Sequence, residues 1–156
     1  MMSEKDSFFK TVNANINAEK AGIEAFKKDV FEFQKGTTWL LNEIQSWFDG
    51  SPITSQKSTA RVTEGSDSFE VSTLILKNSG KTLTIAPECL YFWGGRGSLE
   101  VSIHNINRSP NTSKFTLHQH DKTSNIDGWV IVSAGNPAQR IEFNQENFFS
   151  MIQSFA

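Results

Sequence analysis

Between Phe9 and Trp47 the chain repeats an apolar position at a spacing that only a helix can use. The positions are Phe9, Val12, Ile16, Glu19, Ile23, Phe26, Val30, Phe33, Thr37, Leu40, Ile44 and Trp47. Their separations alternate between three and four residues without a slip, and only Glu19 and Thr37 are polar. A sustained repeat of about 3.5 residues lines one helical face and packs it along a neighbour. Residues 3–49 therefore read as a helical arm.

Each polar member has a glycine close by, Gly22 and Gly36, and glycine weakens a helix interior by roughly 1 kcal/mol. Gly36-Thr37-Thr38 reads as one helix ending and a second being capped. Length points the same way. An unbroken helix over residues 3–49 would run roughly 65–70 Å at about 1.5 Å per residue. A compact chain of this size spans only roughly 40 Å. Either the arm breaks near Gly36 and folds back, which is the expected outcome, or its first part meets another subunit. From Leu40 the stripe widens through Leu41 and Phe48, as burial in a core requires. Before Phe33 it is narrow, flanked by Asn13, Lys20, Lys27 and Gln34, and suits a helix–helix contact.

Asp49-Gly50-Ser51-Pro52 ends the helical region, residues 50–57 read as a polar connector, and the apolar period then switches to two. Candidate strands are Thr59–Thr63, Ser68–Lys77, Lys81–Ala86, Leu90–Trp93, Ser98–His104, Lys114–His120, Gly128–Ser133 and Arg140–Phe143. Asn78-Ser79-Gly80 and Gly94-Gly95-Arg96-Gly97 read as hairpin turns, and Asn136-Pro137 as a turn into the last strand. Short turns with no helices between strands mean an antiparallel meander, of six to seven strands with eight as the upper count. Asn144 can cap a closing helix with Phe148, Met151, Ile152 and Phe155 on one face. The expected fold is α+β in one domain, 1–156: helical arm 1–49 (one helix or a helix pair), sheet 58–143, C-terminal helix 144–156.

Thirteen Phe and four Trp in 156 residues mark a folded chain, since disordered chains lack such an aromatic load. A net charge of −2 offers no field to gather nucleic acid. The first residues, Met1-Met2-Ser3-Glu4-Lys5-Asp6, are charged and show no apolar leader core, and no run reaches membrane-spanning length. A cytoplasmic location, with neither nucleic acid nor membrane as partner, is expected.

Cys89 is the single cysteine, which excludes an internal disulfide, and a lone Cys is most often a small buried hydrophobe. Gly94-Gly95-Arg96-Gly97 lies between strands and so lacks the helix N-terminus that holds a phosphate. His118 and His120 fall on one face of a strand, and His104 and Glu100 share the outward face of the strand before it. A transition metal would suit such a set, provided the register brings His104 to His118 and His120. Tyr91-Phe92-Trp93 sends large rings to both sides of its strand. With Trp129, and with Phe26 and Phe33 on the arm, Tyr91 and Trp93 are the candidate binding residues.

These features point first to a non-enzymatic protein-binding module of inhibitor, immunity or chaperone type. It would need no cofactor and would take a protein partner, or a second copy through the N-terminal helix. A small-molecule binder with an apolar pocket between sheet and helix is the alternative, with Phe69, Tyr91, Trp93, Phe115 and Trp129 among its candidate lining. A metal-dependent enzyme using the strand histidines comes third.

Overall fold

The structure, a computed structural model, describes residues 3–135 and 137–156. Its elements follow the order helix, seven strands, short helix: α1 Glu4–Ser46, β1 Thr54–Glu64, β2 Asp67–Asn78, β3 Lys81–Phe92, β4 Gly95–Asn105, β5 Thr112–Asp121, β6 Val130–Ser133, β7 Gln139–Glu142 and α2 Gln145–Met151. A single 3-10 turn, Gln153–Phe155, ends the chain. The fold is α+β. The seven strands form one sheet in sequence order, every neighbour antiparallel.

The expected break at Gly36 is absent: α1 runs through it. At Gly36 the helix passes close to side chains of β5 and its neighbour, and a side chain there would have to displace the Gln119 amide. A Cβ on Gly36 would sit 2.0 Å from Gln119 Nε2 and 3.7 Å from the Trp129 ring. Thr38 does not cap; its hydroxyl bonds to Ser72 of β2 at 3.0 Å. Gln34 and Gln45 likewise reach Glu70 and Ser55, so their side of α1 is tied to the first two strands.

Packing divides the chain into a unit ending at Glu32 and a unit Phe33–Ala156. In the first, no described residue is buried. In the second, Phe33, Thr37, Leu40, Leu41 and Ile44 of α1 are fully buried.

The sheet face below them is set by register. Cross-strand rows run Leu76–Leu83–Ile103, Leu74–Ile85–Val101–Phe115 and Leu99–Leu117–Ile131, all buried. Because side chains alternate, slipping any strand by one residue would turn these rows to the far face. Asn144 caps α2 by accepting from Asn147 N at 2.8 Å. Phe148 then meets Trp47, Phe115 and Phe143, closing one end of the core.

Several boundaries differ from the sequence reading. The two candidate strands Lys81–Ala86 and Leu90–Trp93 are one strand, β3, with its register shifted between Pro87 and Cys89. Proline is tolerated there because β2 pairs with β3 only from Leu74 to Asn78, so no ladder partner needs the missing N–H. β1 begins at Thr54 inside the supposed connector and has few apolar residues to announce it. The Gly94–Gly97 turn is Trp93-Gly94, with Gly94 at φ 92, and the remaining three residues belong to β4. Asn136, of the Asn136-Pro137 turn, lies outside the described residues.

Candidate functional site

Two places gather residues that a folded core does not use. The first is α1 before Phe33. Phe9, Ile16 and Ile23 recur every seven residues on one face and are 51%, 43% and 55% exposed. Val12 and Phe26 of the alternating row, and Val30, which continues the first, are half-buried, while Glu19, between Val12 and Phe26, is exposed. Phe8 is also exposed and meets Phe9 edge-on at 5.3 Å between ring centres. The same heptad that buries its residues beyond Phe33 leaves them open to water here. Helix interiors do not need such residues on a solvated face, so their cost in solubility points to a contact.

The second place is the sheet face opposite α1. Ser72 reaches α1, so its neighbours Val71 and Thr73 point away from it, yet both are buried. The outer end of the β1–β2 hairpin leaves β3 and curls over this face. Glu64, at the hairpin end, accepts from the backbone N–H of Leu90 at 2.9 Å and of Tyr91 at 3.3 Å. Its carboxylate takes the ladder position that β2 vacates.

Beneath lies a cross-strand row of Cys89, Ser98, His118 and Val130. The Ser98 hydroxyl is fully buried and donates to Glu88 at 3.1 Å. The His118 ring lies 4.2 Å from Phe92, with Nε2 3.5 Å from the Thr116 hydroxyl and Nδ1 buried without a hydrogen-bond partner. Its basicity is lowered, chiefly by burial; Asp121 opposes this, Arg140 adds to it and Glu88 opposes it. Asp121 is itself buried and pairs with Arg140 Nε at 2.8 Å.

The row resembles a nucleophile–base arrangement in composition but not in geometry. Ser98 donates to Glu88, but it is fully buried, whereas a serine nucleophile must be open to a substrate carbonyl. Burial, reinforced by Glu88 and Glu64, pushes the Cys89 thiol up to about 11. A catalytic cysteine needs the opposite shift. The row reads as a packed polar layer under the hairpin.

The histidines do share a face but not a place. His118 pairs with Ser98 and His120 with Arg96, whereas His104 pairs with Thr112. Six positions along β4 separate His104 from Ser98, roughly 20 Å at about 3.3 Å per residue. Among the described residues no group of three or more His, Cys, Asp or Glu side chains could hold a metal ion.

The candidate aromatics divide as well. Phe33, on the inner side of α1, is wholly buried and Trp129, beside Gly36 of α1, nearly so, and Phe26 is half-buried in the first unit. Tyr91 is 42% exposed and Trp93, at the hairpin turn, 93% exposed. They make an aromatic corner beside Arg96 and His120. Clefts on the surface include the following two. One, of about 390 Å³, lies between the β4–β5 loop and the last turn and includes Arg108, Asn111 and Ser154 in its wall. The other, of about 230 Å³, includes Phe115 and Val132. Phe69, Tyr91, Trp93 and Trp129 line neither.

Glu64, Glu88 and Ser98 were not singled out from the sequence. Their meeting depends on the β3 register shift and the curl of the hairpin, which no local pattern announces. No protein-family model, no curated protein and no solved structure matches this chain. Among the described residues, no helix is long and apolar enough to cross a membrane.

Proposed function

We propose that this chain is a non-enzymatic, cytoplasmic protein-binding module, of inhibitor, immunity or chaperone type, whose binding element is the apolar seam of α1 before Phe33. The carrying observation is the run Phe9, Ile16 and Ile23, seven residues apart and each 43–55% exposed. An amphipathic helix that keeps a heptad of large apolar side chains in water lays that face into a groove or along another helix.

The test is a double substitution, Ile16→Asp with Ile23→Asp, in the full chain. Both residues lie in the unit without buried residues, so the helical signal and melting temperature of the folded body should not move. A stoichiometric partner that co-purifies with the wild-type chain, whether another protein or a second copy, should be lost. Equal binding by both forms would refute the seam as the binding element.

A further inference from the structure

Resting on that reading, we infer that the seam's partner is a second copy of the same helix, laid antiparallel, with a twofold axis between Asn17 and Ala18. The seam consists of two rows: Phe9, Ile16 and Ile23, and alternating with them Val12, Glu19 and Phe26. Charge decides how two copies can lie. In a parallel pair each seam residue meets itself, which stacks Glu19 on Glu19 in the middle of an apolar contact. Two carboxylates facing each other with water removed repel strongly. Antiparallel pairing exchanges the rows. Phe9 then meets Phe26 of the second copy, Val12 meets Ile23, and Ile16 meets Glu19, each contact occurring twice. Glu19 is freed from its double and lies within about one turn of Lys20 on the other copy.

The flanks agree. Asp6, Asn13, Lys20 and Lys27 follow one another at seven-residue intervals along one edge of the seam. In the antiparallel register this edge meets itself reversed, so Asp6 faces Lys27 of the second copy at both ends, and Asn13 faces Lys20 between them. A parallel pair instead sets Lys20 and Lys27 against Asn15 and Gly22, with no opposite charge. All four flanking residues are exposed. Phe9, Ile16 and Ile23 expose roughly 220–370 Å² per chain, taking roughly 150–250 Å² as the full area of a large side chain. Such a pair is small beside a standard interface of about 1,600 Å², so association in the micromolar range or weaker is expected.

The experiment uses the full chain with Cys89→Ser. Val12→Cys and Ile23→Cys variants are mixed under mild oxidation at about 100 µM, a concentration suited to micromolar affinity. A 12–23 disulfide in the mixture, with little in either variant alone, is expected. In cysteine-free chains, Lys27→Glu should weaken the dimer about tenfold, through loss of two exposed ion pairs. Adding Asp6→Lys should restore it. Efficient 12–12 cross-linking would overturn the antiparallel arrangement. Sedimentation of the wild-type chain as a monomer, with no cross-link, would overturn the second copy as partner. The broader reading fails separately, on a co-purifying protein that ignores the Ile16→Asp, Ile23→Asp change.

Discussion

Replacing Phe33 and Phe9 by alanine, one at a time, tests the division of α1 most directly. Both belong to the same uninterrupted heptad, and nothing local distinguishes them. Phe33 has no exposed surface and its ring edge lies 3.2 Å from the point where a Cβ on Gly97 would stand. The helix above and the strand below are both held by other contacts, so the space left by the ring cannot close fully. Truncating a buried Phe in that setting costs about 3–5 kcal/mol. At about 2–4 °C per kcal/mol for a chain of this size, the melting temperature should fall by roughly 6–20 °C. Phe9 is half exposed, and its removal should change the stability of the isolated chain by no more than about 0.5 kcal/mol, with alanine's helix preference compensating in part. Urea and thermal unfolding followed by circular dichroism at low protein concentration would measure both. Should Phe33→Ala prevent folding, Phe33→Leu gives the same ordering at smaller cost. The reasoning fails if the Phe33 change costs under about 1 kcal/mol, or if Phe9→Ala costs as much.

Four further outcomes follow from the core and the far sheet face. Thr37→Val should stabilise the chain by about 1 kcal/mol, because the buried Thr37 hydroxyl has no partner and an orphaned donor costs more than its removal; a loss of melting temperature would show that the hydroxyl is satisfied. Gly97→Ala should cost about 2–4 kcal/mol, since Gly97 holds φ 81 and an added Cβ would approach Gln119 Cβ to 2.9 Å; unchanged denaturant midpoints would contradict this. Alkylation of Cys89 should be slow at neutral pH and keep rising towards about pH 11, whereas a plateau near the usual thiol range would place the group in water. His118 resists its proton in the folded state, so the unfolded chain takes up more protons as pH falls through the usual His value of 6.5. Stability should therefore be present above that value and decline below it. His118→Gln should flatten this part of a melting-temperature series, and an unchanged slope would exonerate the imidazole.

Much of the architecture was legible because it depends on period alone. The switch from a heptad to alternation near Pro52, the capping of α2 by Asn144, and the β2–β3 hairpin at Ser79-Gly80 are local patterns with local causes. The break at Gly36 misled because glycine has two uses in a helix, ending it and letting another element come close. Only Gln119 and Trp129, more than eighty residues away, distinguish them. The candidate binding residues were mixed for a similar reason. Phe33 and Trp129 carry the same chemistry as Phe9 and Trp93, and exposure, not residue type, separates them.

What the sequence determined by itself is where side chains can line up: a single helical stripe, alternating strands, and the order of the Asp6–Lys27 edge. What only the tertiary structure decided is which stretch of that stripe is covered. Coverage depends on how the whole sheet curves and on where its register shifts, and these arise from contacts between residues far apart in the chain. The heptad is continuous, but burial begins at Phe33, because that is where side chains of β4 and β5 are brought against it.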